Sequence, residues 1–133
     1  MSSAAAVRFE DAEPKRVILI VEDDVMMRSL AADYLRNSDF MVLEAANAAE
    51  AMTILSSNIE IDLVFSDVMM PGTMNGFDLA RWIHQHHDNV HVLLTSGAGA
   101  VVNNPDAFAR EPFMRKPYSP EEVEQRIRTM LRV

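Results

Sequence analysis

Four short stretches of the chain set reactive side chains where an apolar run stops. "VILIVEDD" ends in Glu22-Asp23-Asp24, "DLVFSDVMMPG" carries Asp67, "LLTSG" carries Thr95 and Ser96, and "RKP" carries Lys116. Several carboxylates brought to one point repel each other unless something positive sits among them. All-oxygen ligands favour a hard cation. Magnesium suits this set because it accepts one or two carboxylates, keeps waters and leaves positions for phosphate oxygens. A lysine aimed at the same point pairs with a carboxylate or with a phosphoryl group, and a threonine hydroxyl donates to the same anion. Together these residues suit an aspartate that gains and loses phosphate.

Such chemistry requires the four stretches to end at one edge, and the periodicity of the chain supplies the elements. Val17 to Val21 is a continuous aliphatic run, as in a strand covered on both faces. Met27, Leu30, Ala31 and Tyr34 then recur at helical spacing and are taken as the inward stripe of a first helix. Residues 40–43, 61–65 and 90–94 read as further strands, with a fifth at Phe113-Met114. A second helix is marked by Ala48, Ala51, Met52 and Leu55 behind an Asn47/Glu50 capping box. A third, entered through Gly76, is marked by Leu79, Ala80 and Ile83.

Two glycines and Asn103-Asn104-Pro105 leave room only for a short fourth helix, capped by Asn104. Ser119-Pro120-Glu121-Glu122 opens the last, carried by Val123, Ile127 and Leu131. Strands alternating with helices give an α/β domain with a doubly wound parallel sheet of five strands and five helices. Ligands of such sheets bind outside the carboxyl ends of the strands, where the four stretches end.

A chain of 133 residues, 49% of them hydrophobic, suits one domain with a real core. Residues 1–14 lack periodicity and read as a flexible tail, leaving 15–133 as the domain. No apolar run approaches the roughly 20 residues of a membrane span, and Met1 does not lead into a signal peptide. No membrane insertion is expected, and with no cysteine the natural setting is a reducing cytoplasm. A net charge of −8 without clustered Lys and Arg argues against direct nucleic-acid binding.

"VILIVEDD", "DLVFSDVMMPG", "LLTSG" and "RKP", in this order and spacing, resemble the receiver domain of two-component response regulators. The resemblance runs from about Lys15 to the C-terminus. It implies a flavodoxin-like fold with strand order 2-1-3-4-5 and Asp67 as the phosphoacceptor. Asp23 would ligate Mg²⁺ directly, with Glu22 holding the metal's water shell and the Met69 backbone carbonyl adding a ligand. Thr95 would be the switch hydroxyl, Lys116 the partner of a phosphoryl oxygen and Phe113 the switch aromatic. The phosphodonor would be a histidine kinase or histidine phosphotransfer protein, and the output a protein contact or a phosphate relay in a single-domain regulator.

"MMPGTMNG" is one residue longer than the commonest form of that loop, and Phe113 stands where many receivers have tyrosine. Two rivals are a receiver-like module that docks partners without phosphorylation and a phosphatase with an aspartate nucleophile. Haloacid-dehalogenase-like phosphatases need a second acid two residues after the nucleophile, where this chain has Met69. His84, His86, His87 and His91 lack a second ligand set for zinc. With the first helix oriented by its stripe, Val25 and Met26 face solvent beside the acidic pocket, a place for a partner to dock.

Overall fold

The computed structural model describes residues 14–97 and 111–133. The expected tail, but for Pro14, and the short helix expected after Asn104 lie outside the described residues. The described elements are β1 (Val17–Val21), α1 (Val25–Asn37), β2 (Met41–Ala45), α2 (Ala48–Leu55), β3 (Leu63–Asp67), α3 (Gly76–His86), β4 (His91–Ser96), β5 (Phe113–Arg115) and α4 (Pro120–Leu131). All five strands are parallel, in the order β2-β1-β3-β4-β5, which is the flavodoxin-like topology. No described helix is long and apolar enough to cross a membrane.

Side chains of a strand alternate between the faces of its sheet, and β1 shows both faces covered. Leu19 and Val21 pack with Val64 and Leu94 against Ala48, Ala51 and Leu55 of α2 and Leu79, Ala80 and Ile83 of α3. Ile18 and Ile20 pack with Leu63, Phe65 and Leu93 against Ala32 and Leu35 of α1 and Val123, Ile127 and Leu131 of α4. A strand buried on both sides has no polar face to show, which explains the unbroken aliphatic runs.

The helix starts follow from capping. Asp24 caps α1 by accepting from the Met27 amide, and Ser119 and Glu122 close a capping box around Pro120. Asn47 caps α2, but Glu50 reaches back to the amide of Ala46 rather than of Asn47, so the expected box is open. Asn75 and Asp78 form a box on α3 that sequence reasoning missed.

The stripe assigned to α1 is the wrong one. Ala32 and Leu35 are its buried residues, whereas Met27 and Leu30 are exposed and Ala31 and Tyr34 half-buried. The helix carries apolar residues on more than one face, and the small Ala32 sits against the sheet.

Gly76 is needed for a close approach. Its amide donates to the Val68 carbonyl at 2.8 Å, and a Cβ there would lie 2.4 Å from the Asp67 carbonyl oxygen. The start of α3 is thereby laid directly against the end of β3.

Candidate functional site

Strand register brings the site together. Asp67, the last residue of β3, stands opposite Thr95 of β4, and Thr95 stands opposite Met114 of β5. The sequence reading placed both at their strand ends, and both lie within the ladder, so the backbone fixes their spacing. Glu22 follows directly after β1 and its amide donates to the Ala45 carbonyl at 3.0 Å. Lys116 follows directly after β5 and its amide donates to the Ser96 carbonyl at 2.9 Å. Each side chain is therefore carried by a strand end rather than by a free loop.

Asp67 and Glu22 are each only 6% exposed, and Thr95 2%. The Lys116 ammonium donates to Asp67 Oδ2 at 2.9 Å and lies 3.7 Å from Glu22 Oε1. The Met69 amide donates to Asp67 Oδ1 at 3.2 Å, so both carboxylate oxygens are oriented. Glu22, Asp23 and Asp67 offer ligand oxygens within 4.8 Å of one another. Among the described residues this is the one such cluster of metal-ligating side chains. Thr95 Oγ1 has no hydrogen-bond partner among the described residues.

Phe113 is half-buried and packs on the core face covered by α2 and α3. Val25 and Met26 are exposed at the start of α1, next to the acids. Three of the histidines, His84, His86 and His87, are engaged away from the acids. His84 pairs with Glu111 at 2.9 Å, and His86 stacks on Trp82 with ring centroids 4.8 Å apart.

The response regulator receiver domain matches residues 18–128. The transcriptional regulatory protein ResD of Bacillus subtilis is 34% identical over 86% of this chain and 48% of its own length. The transcriptional regulatory protein SrrA of Staphylococcus aureus is 32% identical over 86% of this chain and 47% of its own. The chain thus spans about half the length of these curated relatives. Among solved structures, a receiver domain from Clostridium thermocellum superposes with a TM-score of 0.78 at 25% identity, covering 86% of this chain and 92% of that one. The receiver domain of the hybrid histidine kinase CckA gives 0.71 at 32% identity, covering 86% and 98%. The chain belongs to the response regulator receiver family.

Opposing charges crowd the pocket of this receiver. Burial raises the Glu22 carboxyl above its ordinary value. The Asp24 amide pulls it down, Asp67 pushes it up, Lys116 pulls it down and Asp23 adds to the rise. Burial alone would lower Lys116, but its hydrogen bond to Asp67 and the charges of Asp67 and Glu22 leave it raised. Glu22 and Asp67 thus share one lysine, with Asp23 beside them. Glu22, Asp23 and Asp67 offer the kind of oxygen donors that a hard divalent cation takes.

Two residues escaped the sequence reading. Arg28 of α1 donates through Nη1 to the Glu22 carbonyl at 2.7 Å and through Nε to Glu44 at 3.2 Å, pinning the acidic loop from outside. Its signal was a basic residue on the inward face of a helix. Tyr118 lies against the same pocket, with no signal beyond its place after Lys116-Pro117.

Glu22 has a testable cost. A carboxyl whose folded pKa is raised adds stability fully present below its ordinary value of 4.5 and lost as pH rises through the folded value. Ionised Glu22 therefore weakens the metal-free fold at neutral pH. Glu22→Gln is expected to raise Tm by roughly 2–5 °C in chelator at neutral pH, read by circular dichroism. A fall in Tm would mean that attraction to Lys116 outweighs burial.

Proposed function

We propose that this receiver accepts a phosphoryl group onto Asp67 from the phosphohistidine of a histidine kinase or histidine phosphotransfer protein. The observation that carries the reading is the 2.9 Å contact of Lys116 with Asp67 inside a cluster of two further acids. A docking module without phosphorylation would have no use for a buried carboxylate held in this way. The phosphatase reading lacks its general acid, because the position two past Asp67 is Met69.

In the transfer, an Asp67 oxygen forms the new P–O bond while the P–N bond to imidazole breaks. The electron pair stays on the imidazole nitrogen, which takes up a proton. Lys116, freed from sole pairing with the carboxylate, turns its ammonium to a phosphoryl oxygen and stabilises charge that spreads there in the transition state. Glu22, Asp23, Asp67 and the Met69 carbonyl would hold Mg²⁺, which when bound would neutralise part of the phosphoryl charge. The Thr95 hydroxyl, one strand away, donates to the phosphoryl group, and Phe113 on the neighbouring β5 responds to the space it leaves. Partner affinity changes with that state, whether the output is a protein contact or relay of the phosphoryl group.

Asp67→Asn is expected to abolish labelling by acetyl phosphate in Mg²⁺ while leaving the circular dichroism spectrum unchanged. Wild-type incorporation in that variant would place the acceptor elsewhere.

The donor is proposed to dock on the start of α1. Val25 is 62% and Met26 74% exposed there, and Met27 and Leu30 continue the apolar surface along the helix. Contiguous exposed apolar side chains beside a charged pocket mark an interaction surface better than isolated ones do. Helix contacts at this patch would set specificity while the donor imidazole reaches Asp67. Val25→Ser with Met26→Ser is expected to slow transfer from the cognate donor at least tenfold, about the loss of one well-packed anchor. Labelling by acetyl phosphate, which needs only the pocket, should stay within about twofold of wild type. Equal loss with both donors, or loss with neither, would remove the docking assignment.

A further inference from the structure

Tyr118 turns its ring back to the sheet edge. It meets Phe65 edge-on, with centroids 5.7 Å apart and ring planes at 73°. Two hollows share it as a wall. One is the apolar groove between α1 and α4 lined by Met27, Leu30, Tyr34 and Val123. The other is a small cavity of about 10 Å³ where Glu22, Asp67 and Thr95 supply polar groups among apolar walls such as Ile20, Val21 and Phe65. That volume is about the least that admits one water.

The packing role of this ring needs no hydroxyl, yet one is present where a buried hydroxyl lacks a partner. Thr95 Oγ1 lines the cavity with no hydrogen-bond partner among the described residues. Leaving such a group unsatisfied is costly, and cavities with polar walls are where single waters settle. Burial raises the Tyr118 phenol above its ordinary value. Lys116 lowers it, Glu22 raises it, the Thr95 hydroxyl lowers it and Asp67 raises it again. The phenol therefore keeps its proton at neutral pH and is a donor. The Thr95 hydroxyl lies near enough to influence it, although Thr95 Oγ1 closes no hydrogen bond among the described residues.

We propose that Tyr118 is a positioning residue for Thr95, the two hydroxyls sharing one buried water in the resting protein. This rests on the reading of Thr95 as the hydroxyl that serves the phosphoryl group. In the resting state the water link satisfies Thr95 and holds its hydroxyl on the Tyr118 side of the cavity. After phosphorylation of Asp67 the phosphoryl oxygens compete for that hydroxyl, and the link breaks. Tyr118 is then a brake on activation, set between the phosphorylation site and the α1–α4 groove.

Tyr118→Phe keeps the ring and removes only the hydroxyl. In the resting variant the Thr95 methyl resonance, read by ¹³C-methyl NMR, is expected to move from its wild-type position. With Mg²⁺ and beryllofluoride as phosphoryl mimic, the two proteins should show the same Thr95 resonance. Labelling by acetyl phosphate should speed up roughly two- to tenfold at an unchanged half-saturating concentration, the range one net hydrogen bond supplies. In a Thr95→Val background the same change should have no further effect. An unmoved Thr95 resonance in the resting variant, or an equal rate effect in the Thr95→Val background, overturns the link. Failure of acetyl phosphate to label wild-type Asp67 overturns the proposed function instead, and the resting resonance then judges the link by itself.

Discussion

Two buried carboxylates beside a single lysine are the constraint on which the rest of this receiver depends. Glu22 and Asp67 sit at the carboxyl edge of the sheet with almost no access to water, and Lys116 reaches both. Like charges in a poorly solvated pocket raise each other's energy, and one ammonium offsets only part of it. In the proposed function, a divalent cation and then a phosphoryl group would relieve the remainder.

Holding such a pocket together requires a scaffold that does not yield. Parallel register sets Asp67 against Thr95, and the hydrogen bonds of Glu22 and Lys116 to neighbouring strands fix the other two corners. Two apolar layers, one on each face of the sheet, keep the strands from shifting to separate the charges. Gly76 lets α3 begin against the Asp67 carbonyl, and Arg28 ties the acidic loop to Glu44. The core supplies the stability, and the opposed charges sit at the edge.

The sheet was legible because strands buried on both faces must be aliphatic throughout, as "VILIV" and "LVF" are. The site was legible for the same reason. An aspartate, a threonine and a lysine that follow such runs stand out against them. The inward face of α1 was not, because apolar side chains occur on several of its faces and a period of 3.6 then admits more than one stripe. Packing chose Ala32 and Leu35, whose fit against β1 and β2 depends on side-chain size rather than on hydrophobicity. Even so, Val25 and Met26 are exposed: Met26 lies away from the true stripe, and Val25, which shares the face of Ala32, stands at the first position of the helix. Tyr118 was invisible for a different reason: its position is set by the turn after β5, and no periodicity marks where a single ring comes back to the sheet.

The account stands or falls on the relief of charge repulsion by a cation held through Asp23, the exposed member of the acidic cluster. Thermal unfolding of wild type and Asp23→Asn, followed across a magnesium titration at constant ionic strength, measures that relief directly. A ligand bound only by the folded state raises Tm with its concentration. Wild type is predicted to show such a rise, with the variant shifted to at least tenfold higher magnesium, about the loss expected for one directly bound carboxylate. Equal titrations in the two proteins, or no rise in wild type, would contradict it.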